Sequence, residues 1–117
     1  MDLSINICTY NNREFLRHCL VSIHEKIQDI SFEIIVVDNA SQDGTEKKKK
    51  KDFQDVRLIE NARNAGVAPA RNQSIRRSAG RYVLILDADT EFVAKNFIDI
   101  IKYMDTSPDV ALLGVRQ

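Results

Sequence analysis

The sequence has no net charge and no long apolar run, and each absence excludes a class of protein. Seventeen basic and seventeen acidic residues balance one another. A nucleic-acid-binding domain is normally basic, so we expect no nucleic-acid partner, and any anion site must be built locally. No apolar run approaches the roughly 20 residues that cross a bilayer, so we expect no membrane segment in this chain.

The chain also lacks a signal peptide and a cysteine framework. Its first residues, Met1 to Ser4, have neither a basic start nor a long apolar stretch. We therefore expect a cytoplasmic domain. If the full-length protein associates with a membrane, we expect the domain to lie at the inner face of that membrane. The only two cysteines, Cys8 and Cys19, lack metal-ligand spacing and are expected to be buried free thiols.

Short apolar runs alternate with segments of helical spacing along the whole chain. Two of the runs, Ile34 to Val37 and Val83 to Leu86, are continuously apolar, which is typical of strands covered on both faces. Phe15, Cys19 and Ile23 recur every four residues, as on the buried face of a helix. The predicted strands are Leu3 to Thr9, Phe32 to Asp38, Val56 to Glu60, Tyr82 to Asp87 and Val110 to Val115.

Regular alternation of strands and helices predicts an α/β fold with a mostly parallel, doubly wound sheet of about five strands and helices on both faces. A single domain over residues 1–117 is expected. Asp43 or Thr45 is predicted to cap the second helix, and Gly80 to stop the third. The lysine run Lys47 to Lys51 is interpreted as a solvated helix face.

Polar clusters follow three of the predicted strands. Parallel α/β sheets bind ligands at the carboxyl ends of their strands, so these clusters are expected at one rim. Acids gathered there repel one another unless a cation or hydrogen-bond donors neutralise them. The clusters are Thr9-Tyr10-Asn11-Asn12, Asp38-Asn39-Ala40-Ser41 and Asp87-Ala88-Asp89.

Asp87 and Asp89 are separated by one small residue, so their carboxylates leave the strand together. Such a pair suits a hard divalent cation, Mn²⁺ or Mg²⁺, that keeps positions open for phosphate oxygens. Without context a turn pair would be the commoner explanation, but the position directly after an apolar strand favours the metal site. Two interpretations remain open for Asp38, a nucleotide contact or a turn. Arg71 is either a phosphate ligand or a surface residue.

Other phosphate-binding and catalytic motifs are missing. No G-x-G-x-x-G follows the first strand and no G-x-x-x-x-G-K-[ST] occurs. Dinucleotide-binding and P-loop enzymes are therefore not expected. His18 and His24 belong to the first helix, away from the rim, and no Ser/His/Asp set is evident.

Taken together, the motifs resemble those of family 2 glycosyltransferases, which have the Rossmann-like GT-A fold. The resemblance covers nearly the whole chain, with its four motifs in the family order. They are Ile5 to Asn11, Phe32 to Thr45, Asn61 to Asn72, and Tyr82 to Asp89.

The resemblance implies a nucleotide-sugar donor site. Thr9 and Asp38 would contact the base, Tyr10 and Asn11 would shape its pocket, and Arg13 would be a less secure basic contact. The resemblance places further residues at the diphosphate. Arg71 would lie by the ribose or diphosphate, and Asp87 would hold the ribose or a metal-bound water. Asp89 would ligate the metal, and Asn64 and Gly66 would form the turn before the third helix. The implied donors are UDP-, GDP- or dTDP-sugars.

The chain departs from the family pattern by stopping at Gln117, where members continue for about as long again. The acceptor half and the general base are expected beyond Gln117, so we expect a truncated donor-binding domain, inactive or weakly active alone. The alternative interpretation is a non-catalytic nucleotide or nucleotide-sugar binding module. A nucleotidyltransferase is disfavoured because the glycine-rich loop is missing.

Overall fold

The computed structural model describes residues 1–93 and 97–111. Strands and helices alternate along the chain in the predicted order, and three of the predicted strands have the observed bounds. Of the predicted fifth strand, Val110 to Val115, only Val110 and Ala111 lie within the described residues, and neither is in a strand. The elements are β1 (Leu3–Thr9), α1 (Arg13–Lys26), β2 (Phe32–Asp38), α2 (Thr45–Asp52), β3 (Arg57–Glu60), α3 (Val67–Arg76), β4 (Tyr82–Asp87) and α4 (Phe97–Asp105).

The described strands form one parallel sheet in the order β3-β2-β1-β4. β1 lies between β2 and β4, and the strand order reverses beside it. Thr9 is level with Asp38, and Cys8 with Asp87, so three strands end at the same rim. In sheets of this kind the reversal point is where a crevice opens for a ligand.

Helices cover both faces of the sheet, as expected. On one face, Leu3, Ile5 and Ile7 of β1 belong to a large apolar core shared with α1 and α4. On the other face, Ile35 and Val37 of β2 pack with a much smaller cluster that includes Ala70 of α3. β2 is therefore buried on both faces, as its continuous apolar run predicts.

β4 was also expected to be buried on both faces, but one of its faces is exposed. Val83 and Ile85 are 40% and 44% exposed, whereas the alternate residues Leu84 and Leu86 pack against the core. The reason is the position of α3, which packs over β1 and β2 and leaves that face of β4 uncovered. The continuous apolar run Val83 to Leu86 therefore predicted the strand correctly, but it did not predict that one face of the strand is exposed.

The start of α2 differs in part from the prediction. Gly44, in a left-handed conformation, occupies the cap position itself. The Asp43 carboxylate accepts a hydrogen bond from the Thr45 backbone N–H at 3.2 Å and a second from the Thr45 hydroxyl. Asp43 therefore stabilises the first turn from one residue further out than a normal cap.

Gly80 has a different role from the predicted helix stop. α3 ends at Arg76, and Gly80 lies where the chain passes the start of β1. Its N–H donates to the Ser4 hydroxyl at 2.8 Å. A Cβ at Gly80 would lie 2.5 Å from the Ser4 backbone nitrogen, so only glycine permits this approach.

His24 links α1 to the turn before β3. Its Nδ1 lies 2.7 Å from the Leu20 carbonyl oxygen and its Nε2 lies 2.8 Å from the Asp55 carboxylate. Both ring nitrogens face acceptors, so the protonated imidazolium, which donates from both, suits the site. Burial lowers the pKa of His24, but the bonds to Asp55 and Leu20 outweigh it and the net direction is upward. The bond to His24 is the main cause that lowers the pKa of Asp55.

We expect Gly80→Ala to lower the free energy of unfolding by about 2 to 3 kcal/mol, because the new methyl group collides with the backbone of β1. Urea denaturation measures the change. The control is Ala79→Ser, which adds one atom at the exposed neighbour and should stay within about 0.5 kcal/mol of wild type. Equal stability of Gly80→Ala and the control would contradict the close approach.

The His24–Asp55 pair should make stability depend on pH. A raised His24 pKa stabilises the fold below the ordinary value of 6.5, and this contribution is lost as pH rises through the folded-state pKa. The lowered pKa of Asp55 stabilises the fold above about pH 3.8, its ordinary pKa, and this contribution is lost as pH falls through the folded-state pKa. The melting-temperature gap between wild type and Asp55→Asn should therefore be larger at about pH 5.5 than at about pH 8. A gap that is constant with pH would rule out the charged pair.

Candidate functional site

An open cleft of about 460 Å³ lies at the carboxyl ends of β1, β2 and β4. It contains residues from all three predicted polar clusters, so the expectation that they meet at one rim is confirmed for these side chains. None of its described lining residues is basic. They are Cys8, Thr9, Tyr10, Asn12, Asn39, Asn64, Gly66, Val67, Asp87, Ala88 and Asp89.

Thr9 ends β1 at the floor of this cleft. Its side chain is only 1% exposed, and its Oγ1 has no hydrogen-bond partner within residues 1–93 and 97–111. Buried hydroxyls are nearly always paired, because leaving one unpaired forfeits its hydration. Thr9 is therefore a lining residue of the cleft whose buried hydroxyl has unused hydrogen-bonding capacity among the described residues.

Asp38 is buried and holds the loop that follows β2. Its Oδ1 accepts hydrogen bonds from the Ser41 backbone N–H, at 3.0 Å, and from the Ser41 hydroxyl. The turn interpretation of Asp38 therefore describes its internal contacts. Both bonds use the same oxygen, so this geometry leaves the nucleotide interpretation open for the other.

Tyr10 and Asn11 lie where the first loop meets the second. Tyr10 is 47% exposed and lines the cleft. Asn11 adopts a left-handed conformation (φ 51°), which asparagine tolerates better than most residues. Its N–H donates to the Ser41 hydroxyl at 2.8 Å, and its Oδ1 accepts from the Gln42 N–H at 2.8 Å. Asn11 therefore fixes the two loops to each other.

Arg13 is not among the residues that line the cleft. Its backbone N–H donates to Asp43 at 3.0 Å, and its guanidinium lies against Gly44 and 3.5 Å from the Glu14 carboxylate. Asn11, Asp38 and Arg71 are also absent from the lining, so the role of Arg13 as a basic nucleotide contact stays a prediction.

Arg71 reaches from α3 to the acidic pair. Its Nη2 lies 3.0 Å from Oδ1 of Asp87, while its buried Nε has no partner within the described part of the chain. Asp87 and Asp89 are both exposed to the cleft, and Ala88 between them is buried. The small side chain of Ala88 anchors the turn while the two carboxylates face solvent.

The acidic pair fits a divalent cation only with additional ligands. No group of three or more metal-ligating side chains occurs in residues 1–93 and 97–111. Two carboxylates with room around them match Mn²⁺ or Mg²⁺ whose other positions are filled by phosphate oxygens and water. Thr9 lines this cleft and Arg71 contacts Asp87 at its edge, and each has one buried side-chain atom without a hydrogen-bond partner among the described residues.

The sequence prediction missed a chain of hydrogen-bonded amide side chains beside the cleft, of which Asn39 is buried and Asn61 and Gln73 are partly buried. The Asn39 side chain, 2% exposed, donates to the Gly66 carbonyl at 3.1 Å and accepts from Asn61 at 2.9 Å. Asn61 in turn exchanges two hydrogen bonds of 2.9 Å with Gln73. The Asn64 side chain accepts from the Gly66 N–H at 2.9 Å. This network holds the turn that lines the cleft, and its only signal in the sequence is an asparagine directly after β2 and another after β3.

The remaining polar candidates have other surroundings. Cys8 and Cys19 are free thiols, as expected, although Cys8 is only half-buried. Burial raises the pKa of both, that of Cys19 to about 12, with Asp89 contributing, so neither is a reactive thiolate. His24 lies at the opposite end of α1 from the cleft. Within the described ranges, no helix has the length and apolarity that a bilayer crossing requires.

An acidic cleft at the carboxyl ends of a parallel α/β sheet is a typical ligand site of this fold class. The model of the family Glycosyl transferase family 2 matches residues 4–117. The chain therefore belongs to glycosyl transferase family 2, and it is a glycosyltransferase domain with the GT-A fold, as predicted.

Curated relatives support this assignment over nearly the whole chain. The uncharacterized glycosyltransferase MJ1057 of Methanocaldococcus jannaschii is 33% identical over 116 residues, which are 95% of this chain and 40% of that protein. The uncharacterized glycosyltransferase YfnE of Bacillus subtilis is 36% identical over 121 residues, with shares of 98% and 30%. The chain thus spans well under half the length of these relatives.

Solved structures show the same fold. S. aureus TarS in complex with UDP-GlcNAc superposes with a TM-score of 0.82 at 26% identity, over 100% of this chain and 37% of TarS. The mannosyltransferase PcManGT from Pyrobaculum calidifontis, in complex with GDP-Man and Mn²⁺, gives 0.75 at 30% identity, over 87% and 32%.

Asn39→Ala should lower the free energy of unfolding by about 1 to 3 kcal/mol, because the Gly66 carbonyl and the Asn61 amide lose their buried partner. Chemical denaturation measures the loss. The exposed Asn72 of α3 is the matched control, and Asn72→Ala should change stability by no more than about 0.5 kcal/mol. If both alanine variants behave alike, the amide chain does not hold the turn.

Proposed function

We propose that this domain binds the donor of a metal-dependent glycosyltransferase, a nucleoside diphosphate sugar. The observation that carries the proposal is one cleft lined both by the acidic pair Asp87 and Asp89 and by Thr9, whose hydroxyl has no partner among the described residues. Support comes from the similar structures, since TarS was solved with UDP-GlcNAc and PcManGT with GDP-Man and Mn²⁺.

The nucleoside would bind at the ends of β1 and β2. Thr9 offers a hydroxyl that both donates and accepts, and Asp38 offers a carboxylate that accepts from a base N–H or a ribose hydroxyl. The half-exposed Tyr10 provides an aromatic wall next to them, with Asn11 fixing the loop behind it. Arg13 begins α1, two residues after Asn11, and its side chain lies against Gly44.

The diphosphate would bind between α3 and the end of β4. Arg71 supplies a guanidinium for phosphate oxygens, and Asp89 with Asp87 would hold Mn²⁺ or Mg²⁺. When bound, such a metal neutralises the diphosphate and stabilises it as a leaving group. The guanidinium lies on α3 and the two carboxylates lie at the end of β4, so they would face a bound diphosphate from two sides.

Transfer with inversion by direct displacement is proposed for the whole protein. That reaction needs a general base within about 3 Å of the acceptor hydroxyl. Because this chain spans 40% and 30% of the length of two curated relatives, we assign to it only the binding of the sugar donor.

Titration calorimetry with UDP, GDP and dTDP tests the donor site. We expect Mn²⁺ to raise the affinity for the matching nucleotide by about tenfold or more, and Asp89→Asn to abolish that increase. The matched control is Asp109→Asn, which removes an exposed carboxylate outside the cleft and should retain the metal effect. If no nucleotide binds to wild type at millimolar concentration, this cleft is not a donor site.

Thr9→Val tests the base pocket. The substitution removes a hydroxyl that has no partner among the described residues, so thermal stability should not fall, while nucleotide affinity should decrease about fivefold. Thr45→Val is the reciprocal control, since Thr45 donates to Asp43: stability should fall by about 1 kcal/mol and nucleotide affinity should not change. Unchanged nucleotide affinity in Thr9→Val would remove Thr9 from the site.

A further inference from the structure

The acidic pair already has a cation of the protein's own beside it. Arg71 Nη2 lies 3.0 Å from Asp87 Oδ1, and the two residues come from different elements, α3 and the end of β4. The side chain of Arg71 is 39% exposed and that of Asp87 is 68% exposed. The contact is therefore an open ion pair at the cleft and not a buried structural one.

Arg71 reaches Asp87 from outside the described residues that line the cleft, and those residues supply no cation of their own. They include Asp87 and Asp89 but neither lysine nor arginine. Two neighbouring carboxylates repel each other, and a single guanidinium beside one of them relieves much of that repulsion. Arg71 thus supplies Asp87 with a positive charge of the kind that a divalent cation would supply in the proposed donor site.

The Arg71 side chain is also incompletely bonded. Its Nε is buried and has no hydrogen-bond partner in the described part of the chain. A guanidinium has five N–H donors, and a diphosphate offers several oxygen acceptors to them. The single contact with Asp87 is therefore weaker than what a diphosphate can provide.

We propose that Arg71 is a resident counter-ion of Asp87 that exchanges partners when the donor binds. The inference rests on the proposed donor site. Metal takes over Asp87, and the diphosphate takes over Arg71. Neither ligand alone compensates both members of the broken pair, so each binds weakly by itself and promotes the binding of the other.

Binding of Mn²⁺ alone tests the first half of the exchange. Electron paramagnetic resonance of free Mn²⁺, without nucleotide, should show that Arg71→Gln binds the metal about threefold to tenfold more tightly than wild type. The control is Arg76→Gln, which removes the same charge five residues further along α3. Its Mn²⁺ affinity should stay within about twofold of wild type, because exposed charges at that distance are screened.

Binding of inorganic pyrophosphate in metal-free buffer tests the second half. Removing the Asp87 charge frees Arg71, so Asp87→Asn should bind pyrophosphate about threefold to tenfold more tightly than wild type, measured by ³¹P resonance broadening. Asp109→Asn should match wild type. The Nε of Arg71 is buried, so Arg71→Gln could fail to fold. The pyrophosphate experiment does not use that variant and therefore tests the proposal in either case.

Measuring Mn²⁺ and pyrophosphate binding separately distinguishes a failure of the counter-ion exchange from a failure of the proposed donor site. If wild type binds Mn²⁺ together with UDP or GDP, but Arg71→Gln does not bind Mn²⁺ alone more tightly, the counter-ion exchange is wrong and the donor site stands. The exchange is equally wrong if Asp87→Asn and wild type bind pyrophosphate with the same affinity. If Mn²⁺ binds no variant under any condition, both the metal-dependent donor site and the exchange are wrong.

Discussion

β1 pairs in parallel with β2 on one side and β4 on the other, and the candidate donor cleft depends on that pairing. Thr9 stands level with Asp38, and Cys8 with Asp87. A shift of β1 by one residue would turn every one of its side chains to the opposite face. It would bury polar Ser4 and Asn6 in the large core and separate the polar strand ends. The same register therefore specifies both the core and the cleft.

The loops at the rim are held by hydrogen bonds between polar side chains and backbone, since they have little apolar surface to bury. Asp38 holds Ser41, Asn11 joins the first and second loops, and the buried Asn39 reaches the Gly66 turn. The buried amide of Asn39 loses hydrogen bonds if either partner moves away, so the network favours this loop arrangement. Thr9 Oγ1 and Arg71 Nε are the two buried side-chain atoms without hydrogen-bond partners among the described residues; Thr9 lines the cleft, and Arg71 contacts Asp87, which also lines it. Unmet bonding capacity is thus concentrated where a ligand is expected.

Local patterns predicted the strands well because each apolar run ends abruptly at polar residues such as Asp38 and Asp87. The convergence of the strand ends followed from general rules for parallel sheets. Contacts between residues far apart in the sequence could not be predicted from these local patterns. Nothing near Val83 or Ile85 reveals that α3 covers β1 and β2 instead, and Gly80 looked like a helix stop because its contact with Ser4 spans 76 residues. The roles of Thr9, Asp38 and Asp89 toward a nucleotide and a metal stay predictions. The role of Arg13 as a basic nucleotide contact also stays a prediction.

Paramagnetic broadening by Mn²⁺ in the presence of UDP or GDP tests the central claim most directly, because it locates the metal within the fold. In amide spectra of the ¹⁵N-labelled protein, we expect signals from residues 87–90, 9–12 and 64–67 to broaden first. Signals at the other end of the strands, such as those of Ser31 and Gly80, should stay sharp. Broadening centred on the lysines of α2 or at the amino ends of the strands, with the cleft signals unaffected, would contradict the proposed donor site.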